Sequence, residues 1–399
     1  PPRMAVTFIH TADWQLGKPF SRIDNIEKRA ILKNHRFESL KKIGELAEQH
    51  GASFIVAAGD LFDSSQPTRE DVSRSCDIIG GFKRPVFAIP GNHDFGGPGG
   101  PYSHDYFNRE RESRAPNLKV LLTAEPVEGE GFVLLPCPLL SRHETGDPTE
   151  WLRIPGLADR FAGKARIVLA HGSISTFGTD AADDDEVGGH STPNVLNLEM
   201  LDPSAFDYIA LGDWHGTRRA DSHPCAWYSG THEPDRFPKG DDYKSGQVLL
   251  VQARRNSAPV VQPLSTGRCR WHIMEHSVDD ADPAARFLAA MNATVAGHPA
   301  DSTLVRLCIS GSLSLASASK LERELESQKA ALAHIRIKNL TTTTPTDAEI
   351  ARLGDAAVNP LVAAVATKLR QMAAGDGAEA VTARAAIREL FNLAHETRA

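Results

Sequence analysis

The sequence predicts an α/β protein with a mainly parallel sheet, and three observations carry that expectation. Short continuous apolar runs (AVTFI, FIVAA, VFAI, RIVLA, YIALG) have the make-up of strands buried on both faces. Between the first three lie stretches with apolar residues three and four apart, giving strand–helix–strand–helix–strand order. Each run is followed within a few residues by Asp, Asn or His. In open α/β sheets, ligands gather beyond the carboxyl ends of strands.

In chain order, the strand at residues 5–9 delivers HTADWQLGKPF. Asp13 and Gln15 are two apart and point the same way in an extended segment. The following stretch is predicted helical, with Phe37, Leu40, Ile43, Leu46 and Ala47 on one face and Gly51 beyond its end. FIVAAGDLFD is a second strand, ending in Asp60 and Asp63. Val72, Cys76 and Ile79 mark a second helix. VFAI follows, and Pro90 and Gly91 turn the chain abruptly into Asn92, His93 and Asp94. After a Gly-, Pro- and Arg-rich loop and a short helix, VLL at 120–122 and FVLLPCPLL at 132–140 are expected as strands beyond the first sheet. Residues 174–194 read as a long segment whose run Asp183, Asp184, Asp185, Glu186 could bind a cation but is more often a solvated mobile loop. WYSGTHEPDRF and GQVLLVQA complete this part, and residues 254–267 form an exit linker.

From Cys269 the liganding residue types thin out. RWHIMEH, a helix at 283–296, a strand at 304–309, a charged helix at 320–332 and HIRIKNL give a βαβαβ order, which suggests a small separate α/β domain. The remainder is Ala-rich and helical (347–353, 360–372, 379–395), with Gly375, Asp376 and Gly377 turning the last two helices into a hairpin. The expected domains are therefore 1–268, 269–344 and 345–399.

Composition excludes several classes. A net charge of −7 over 399 residues removes a globally basic nucleic-acid binder, so any phosphate-binding surface is a local patch. The five cysteines (Cys76, Cys137, Cys225, Cys269, Cys308) are scattered and lack CxxC spacing, so they read as buried thiols of a reducing compartment. No stretch is apolar enough to span a bilayer, and the N-terminus lacks a signal peptide's apolar core. The cytoplasm is the expected location, with PPR ahead of Met4 read as an addition before the natural start.

Five strand ends thus carry Asp13 and Gln15; Asp60 and Asp63; Asn92, His93 and Asp94; His171; and Asp213 and His215. Singly, each is an ordinary cap, turn or core histidine. Together they place oxygen and imidazole donors along one sheet edge, the donor set of a binuclear metal site. Two divalent ions ~3.5–4 Å apart suit in-line displacement at phosphorus.

HTADWQLG, GDLFD, GNHD, AHG and GDWHG resemble, in order, the five signatures of the calcineurin-like binuclear metallophosphoesterases. HTADWQLGKPF, GDLFD and the second domain most resemble the SbcD-type DNA repair nucleases. That resemblance implies a metallophosphoesterase sandwich (two mixed sheets flanked by helices), a small α/β capping domain at 269–344, and C-terminal helices at 345–399 docking a partner. It implies Asp13, Gln15 and His215 at a first metal, Asn92, His171 and Asp213 at a second, and Asp60 bridging them. His93 would contact the scissile phosphate and help the leaving oxygen depart, oriented by Asp63 or Asp94; the sequence does not choose. The implied partners are DNA and an SbcC-type coiled-coil ATPase, with a homodimer left open and no membrane.

The family usually has His at the positions of Gln15 and Asp213. Both replacements move the donors from nitrogen toward oxygen, which favours Mn²⁺ or Mg²⁺ over Zn²⁺. Arg109 and Arg218 lead a group of basic residues (Lys18, Arg22, Arg111, Arg114, Arg219, Arg236) expected to hold a phosphate backbone. Trp14 and Trp214 read as packing beside the site, and His104 and His232 as incidental loop histidines. Leu361, Val365, Leu369 and Met372, and Ile387, Leu390, Phe391 and Leu393, form apolar stripes on the last two helices. These read as core of their own domain or as a seat for the coiled coil. The leading expectation is an Mn²⁺-dependent DNA exo- or endonuclease in repair. The alternatives are a small-nucleotide phosphodiesterase and a catalytically weak scaffold docking the ATPase.

Overall fold

The computed structural model describes residues 5–174, 194–240, 242–343, 346–353, 355, 357 and 359–396. The chain divides into two units, meeting between Cys269 and Arg270.

The first unit opens with β1 (Val6–Thr11), α1 (Ile26–Gln49), β2 (Phe54–Ala58), α2 (Arg69–Gly80) and β3 (Val86–Ile89). It continues with α3 (Asp105–Arg114), β4 (Leu118–Val120), β5 (Val127–Glu128), β6 (Phe132–Cys137), β7 (Ala165–His171) and β8 (Ser173–Ile174). It closes with β9 (Val195–Leu196), β10 (Tyr208–Gly212), β11 (Arg218–Arg219), β12 (Ala226–Tyr228), β13 (Gln247–Ala253) and β14 (Val260–Ser265). Two six-stranded mixed sheets result, ordered β14-β13-β1-β2-β3-β4 and β11-β12-β10-β7-β6-β5.

The α/β order expected from the strand–helix alternation is present, and the two mixed sheets flanked by helices are the sandwich that the family resemblance implied. Every residue of β2, β3, β7 and β10 is buried, which is why these strands read as unbroken apolar runs. Phe8, Phe54, Phe87, Phe132 and Tyr208 fill the space between the sheets, with Phe54 and Phe132 ring centroids 4.2 Å apart. The helix α1 starts where the Asn25 side chain accepts from the Lys28 amide at 3.0 Å. Its Phe37, Leu40 and Ile43 join α2 and α3 residues against the outer face of the first sheet. Short 3₁₀ segments at 150–153 and 158–161 help cover the other sheet, through Leu152 and Phe161.

Two expectations are overturned. Residues 254–267 are not only a linker: β14 pairs antiparallel with β13 and forms one edge of the first sheet. VLL does not lie beyond the first sheet: β4 pairs parallel with β3 and forms its edge, because Leu118 is needed in the α-helical face of that core. The acidic run Asp183 to Glu186 lies outside the described residues.

The second unit holds β15 (Arg270–Val278), α4 (Pro283–Thr294), β16 (Thr303–Leu313), α5 (Leu315–Ala331) and β17 (His334–Thr343). The three strands are parallel, in the order β15-β16-β17, with α4 and α5 packed through Phe287, Met291, Leu321 and Leu325 onto Val305, Leu307 and Ile309. Then come α6 (Asp347–Leu353), α7 (Pro360–Ala373) and α8 (Ala378–Glu396). The apolar stripe expected on α7 is not the one it buries. Ala363 and Ala366 are buried, Leu369 is half-buried, and Leu361 and Val365 are 74% and 40% exposed. Alanines let the helices approach closely, so the small residues take the inner face. On α8, Ile387 and Phe391 are buried with Leu315 of α5, so these helices share a core with the α/β part.

Candidate metal centre

Parallel strands bring their carboxyl ends together, and the backbone fixes how closely. The Asp13 amide donates to the Gly59 carbonyl at 3.1 Å, and the Gly172 amide to the Gly212 carbonyl at 3.2 Å. The ends of β1 and β2 in one sheet thus meet those of β7 and β10 in the other. His171 crosses between them, its Nδ1 donating to the Ala58 carbonyl at 2.8 Å. That bond fixes the tautomer and leaves Nε2 as the donor atom facing the carboxylates. Glycine is required here: a Cβ on Gly59 would stand 2.1 Å from His171 Nδ1, and one on Gly91 2.1 Å from Asp60 Oδ1.

Asp13, Asp60 and His171 are buried, and one donor atom from each lies within 4.8 Å of the others. His171 Nε2 is 3.0 Å from Asn92 Oδ1, 3.6 Å from Asp60 Oδ2 and 3.9 Å from Asp213 Oδ1. The Asp213 amide donates to the Asp13 carboxylate at 3.0 Å. Asp13, Asp60, Asn92, His171 and Asp213 therefore converge, as the strand-end motifs led one to expect. Burial raises the Asp13 carboxyl to about 7, with Asp60 and Asp213 adding to the rise and His171 opposing it. Burial also disfavours the His171 imidazolium, but Asp60, Asp13 and Asp213 outweigh it and lift His171 to about 9. Asp60 moves the other way: burial works against its charge, and His171, His93 and the His93 amide overcome it. Buried carboxylates around one imidazole form an electrostatic well that a divalent cation fits, with an oxygen-rich donor set.

His215 acts electrostatically on Asp60 but is not in the Asp13–Asp60–His171 group, and Gln15 faces Lys18 and His215. Gln15 Oε1 accepts from Lys18 Nζ at 2.7 Å, and Gln15 Nε2 lies 3.3 Å from His215 Nε2. Gln15, expected as a ligand through its oxygen, has that oxygen turned to an ammonium. Lys18, expected to hold phosphate, is also 3.1 Å from Asp235 Oδ2 and 3.5 Å from Asp63 Oδ1.

His93 is half-buried. Its amide donates to Asp60 Oδ1 at 3.0 Å, and its Nδ1 meets the Asp63 carbonyl oxygen at 2.8 Å. Asp63 thus orients His93 through its backbone, not its carboxylate. Asp94, the other candidate, is spent elsewhere: its carboxylate accepts from the Gly91, Leu61 and Phe62 amides and the Tyr102 hydroxyl, clamping the ends of β2 and β3 together. Burial lowers the basicity of His93, but Asp60, the Asp63 carbonyl and the Asp63 charge raise it above the ordinary histidine value.

Of the proposed phosphate-binding residues, Arg218 pairs with Asp221 at 3.0 Å on β11, and Arg109 is exposed on α3. Arg114 pairs with Asp77, and Arg236 with Asp235. Trp14 is fully buried and donates to Thr11 Oγ1 at 2.8 Å, the packing role expected of it.

Sequence reasoning missed two residues that build the site. Asp235 is buried 2.9 Å from His215 Nδ1, held ionised against burial by Arg236, His215 and Lys18. Its signal was chemical: an imidazole at a metal site has a second nitrogen to satisfy. Arg36, fully buried on α1, donates to the carbonyls of Asp13, Trp14 and Glu233 and to Thr231 Oγ1. It pins the loop carrying Asp13, and only its place on the buried face of a helix could have flagged it. His232 is no incidental loop residue, since it is buried with Nε2 2.9 Å from the Arg36 carbonyl.

A family model described as calcineurin-like phosphoesterase matches residues 6–244, which contain all five motifs. One solved structure is similar over 66% of this chain and 100% of its own, at 12% identity and a TM-score of 0.39.

Proposed function

The chain belongs to the calcineurin-like phosphoesterases, metal-dependent hydrolases of phosphoesters, and on that premise we propose that its substrate is DNA, cleaved at the phosphodiester bond as in the SbcD-type nucleases. The observation that carries the reading is the pairing of the Asp13–Asp60–His171 cluster with a histidine held beside it by Asp60 and the Asp63 carbonyl. Such a pairing serves displacement at phosphorus with protonation of the leaving oxygen.

With Nδ1 spent on the Asp63 carbonyl, a second proton on His93 sits on Nε2, and Asp60 and Asp63 raise the basicity that holds it. His93 Nε2–H is the donor to the departing oxygen. Asp94 and Arg36 hold the loops on which His93 and Asp13 sit, so little reorganisation accompanies the transfer. A divalent cation held by Asp13, Asp60, Asn92, Asp213 and His171 supplies Lewis-acid polarisation of a phosphoryl oxygen. Four oxygen donors to one imidazole favour Mn²⁺ or Mg²⁺.

DNA is favoured by the HTADWQLGKPF and GDLFD spellings and by basic residues on the second unit. Arg306 and Arg336 are direct register partners across β16 and β17, and Lys338 follows on the same face of β17. The exposed Leu361 and Val365 of α7 support the coiled-coil ATPase as partner.

The test is hydrolysis of single- and double-stranded DNA across Mn²⁺, Mg²⁺, Co²⁺ and Zn²⁺, beside a chromogenic phosphodiester and cyclic dinucleotides. DNA cleavage highest in Mn²⁺ is expected. Turnover of the small substrates with DNA left intact would replace this reading by that of a small-nucleotide phosphodiesterase.

A further inference from the structure

We propose that Lys18 and Gln15 close one of the two metal positions expected from the strand-end donors, so that the protein retains a single tightly held divalent ion, in the Asp13–Asp60–His171 position. The inference rests on the metal-dependent reading above and concerns how many ions that site takes.

An ammonium has three donors and no acceptor, so the Gln15 atom 2.7 Å from Lys18 Nζ is the amide oxygen. The amide nitrogen therefore faces His215 Nε2, at 3.3 Å. On the far side of that ring, Nδ1 sits 2.9 Å from Asp235 Oδ2. Asp235 is a buried carboxylate that also lies 3.1 Å from Lys18 and 3.2 Å from Arg236. A carboxylate in such company is an acceptor, so Nδ1 bears the proton and Nε2 presents its lone pair. Gln15 Nε2–H donates to that lone pair. The nitrogen His215 could offer a metal is thereby already engaged, and the Gln15 oxygen is held on Lys18.

Turning the Gln15 amide over would not open the position. It would set the amide N–H groups against the Lys18 ammonium, two donors face to face. Lys18 also brings a fixed positive charge to the place, shared among Gln15, Asp63 and Asp235, and a dication entering beside it would meet repulsion. At the other position the charged neighbours of the imidazole are the carboxylates of Asp60 and Asp213. His171 keeps Nε2 toward the carboxylates because Nδ1 is committed to the Ala58 carbonyl, and Asn92 turns its oxygen to the same point. Lys18 and Gln15 act as positioning residues, and a lysine stands where a second ion was expected.

The test is the binding of Mn²⁺ to the metal-stripped full chain, followed by calorimetry and by electron paramagnetic resonance, with DNA hydrolysis recorded separately. The expected result is one tight ion per chain and no exchange-coupled signal. Gln15→His combined with Lys18→Met is expected to bind two ions and show exchange coupling. Lys18→Met alone is expected to add a second, weaker ion, since the freed amide can turn its oxygen inward. Two tight, exchange-coupled ions in the wild type would overturn the inference, whatever the variants do. So would a folded double variant that still binds one ion. One tight ion without hydrolysis of any phosphodiester would refute the functional reading while leaving the closure standing. No tight ion at all would refute both.

Discussion

At the scale of single residues, the site depends on groups whose jobs differ although they are neighbours in sequence. Asn92 faces His171, His93 is tied to Asp63 and Asp60, and Asp94 clamps three amides and a hydroxyl. His93→Ala is therefore expected to cut phosphodiester cleavage by ~10²–10⁴-fold, the range for losing a general acid. Metal affinity by calorimetry should stay close to wild type, and a loss of metal in this variant would make His93 a ligand. Gly91→Ala tests the packing beneath: its Cβ would stand 2.1 Å from Asp60 Oδ1 and 2.6 Å from the Asp60 amide nitrogen. Displacing Asp60 is expected to weaken Mn²⁺ binding by about 10–100-fold, the usual effect of disturbing what supports a ligand. Unchanged affinity would mean that the β2 and β3 ends separate easily. The convergence of Asp13, Asp60, Asn92, His171 and Asp213 was legible because each follows a strand of the two sheets. The orientation of Gln15 and the roles of Asp235 and Arg36 were not, because they depend on contacts between residues up to about two hundred positions apart.

At the scale of elements, the two sheets are joined by more than apolar contact. His10 of β1 places Nδ1 2.8 Å from the Tyr208 hydroxyl of β10, across the sandwich. Burial pushes His10 down to about 3, and it does the same to His232 behind the Asp13 loop. In the unfolded chain both imidazoles titrate near 6.5. Below that value the unfolded state binds protons that the folded state refuses, so stability falls as pH drops from 6.5 toward 3. Each histidine contributes a slope of about 1.4 kcal/mol per pH unit in that window. Urea midpoints of wild type and His10→Gln at pH 7.5 and 5.0 check this. The variant should lose less on acidification, and equal losses would place the acid sensitivity elsewhere. Most strands and helices were readable from period and apolar content, but β14 was not, since its residues are largely exposed and include Pro263. The place of VLL was not, since a three-residue strand carries no signal of which sheet it joins.

At the scale of the whole molecule, the C-terminal helices are part of the second unit's core. Leu353, Ala366, Ile387 and Phe391 pack with Leu315, and Glu349 accepts from the Leu315 and Ala316 amides that open α5. Removing residues 345–399 is therefore expected to destabilise that unit by several kcal/mol, since it strips both core and cap; scanning calorimetry of the truncated chain measures it. A cleaner probe of partner binding is Leu361→Glu with Val365→Glu. Both side chains are exposed, so the melting temperature should hold while pull-down of a coiled-coil ATPase is lost; retained capture would remove α7 from the interface. Periodicity showed that α7 had an apolar stripe but not that alanines would claim the inner face. The backbone at the metal centre bears on the entire fold. Asp13, Gln15, Asp60 and Asp213 all have positive φ, from 39° to 99°, half of the eight such non-glycine residues among those described. Each costs on the order of 1 kcal/mol that glycine would not, and the crowded carboxylates add to it. Asp213→Gly, at φ 99°, is expected to melt about 2–4 °C higher than wild type when no metal is bound. Heat tolerance and turnover thus pull in opposite directions. Directed evolution scored on heat survival alone would enrich dead molecules, so selection on this scaffold needs a catalytic readout in every round.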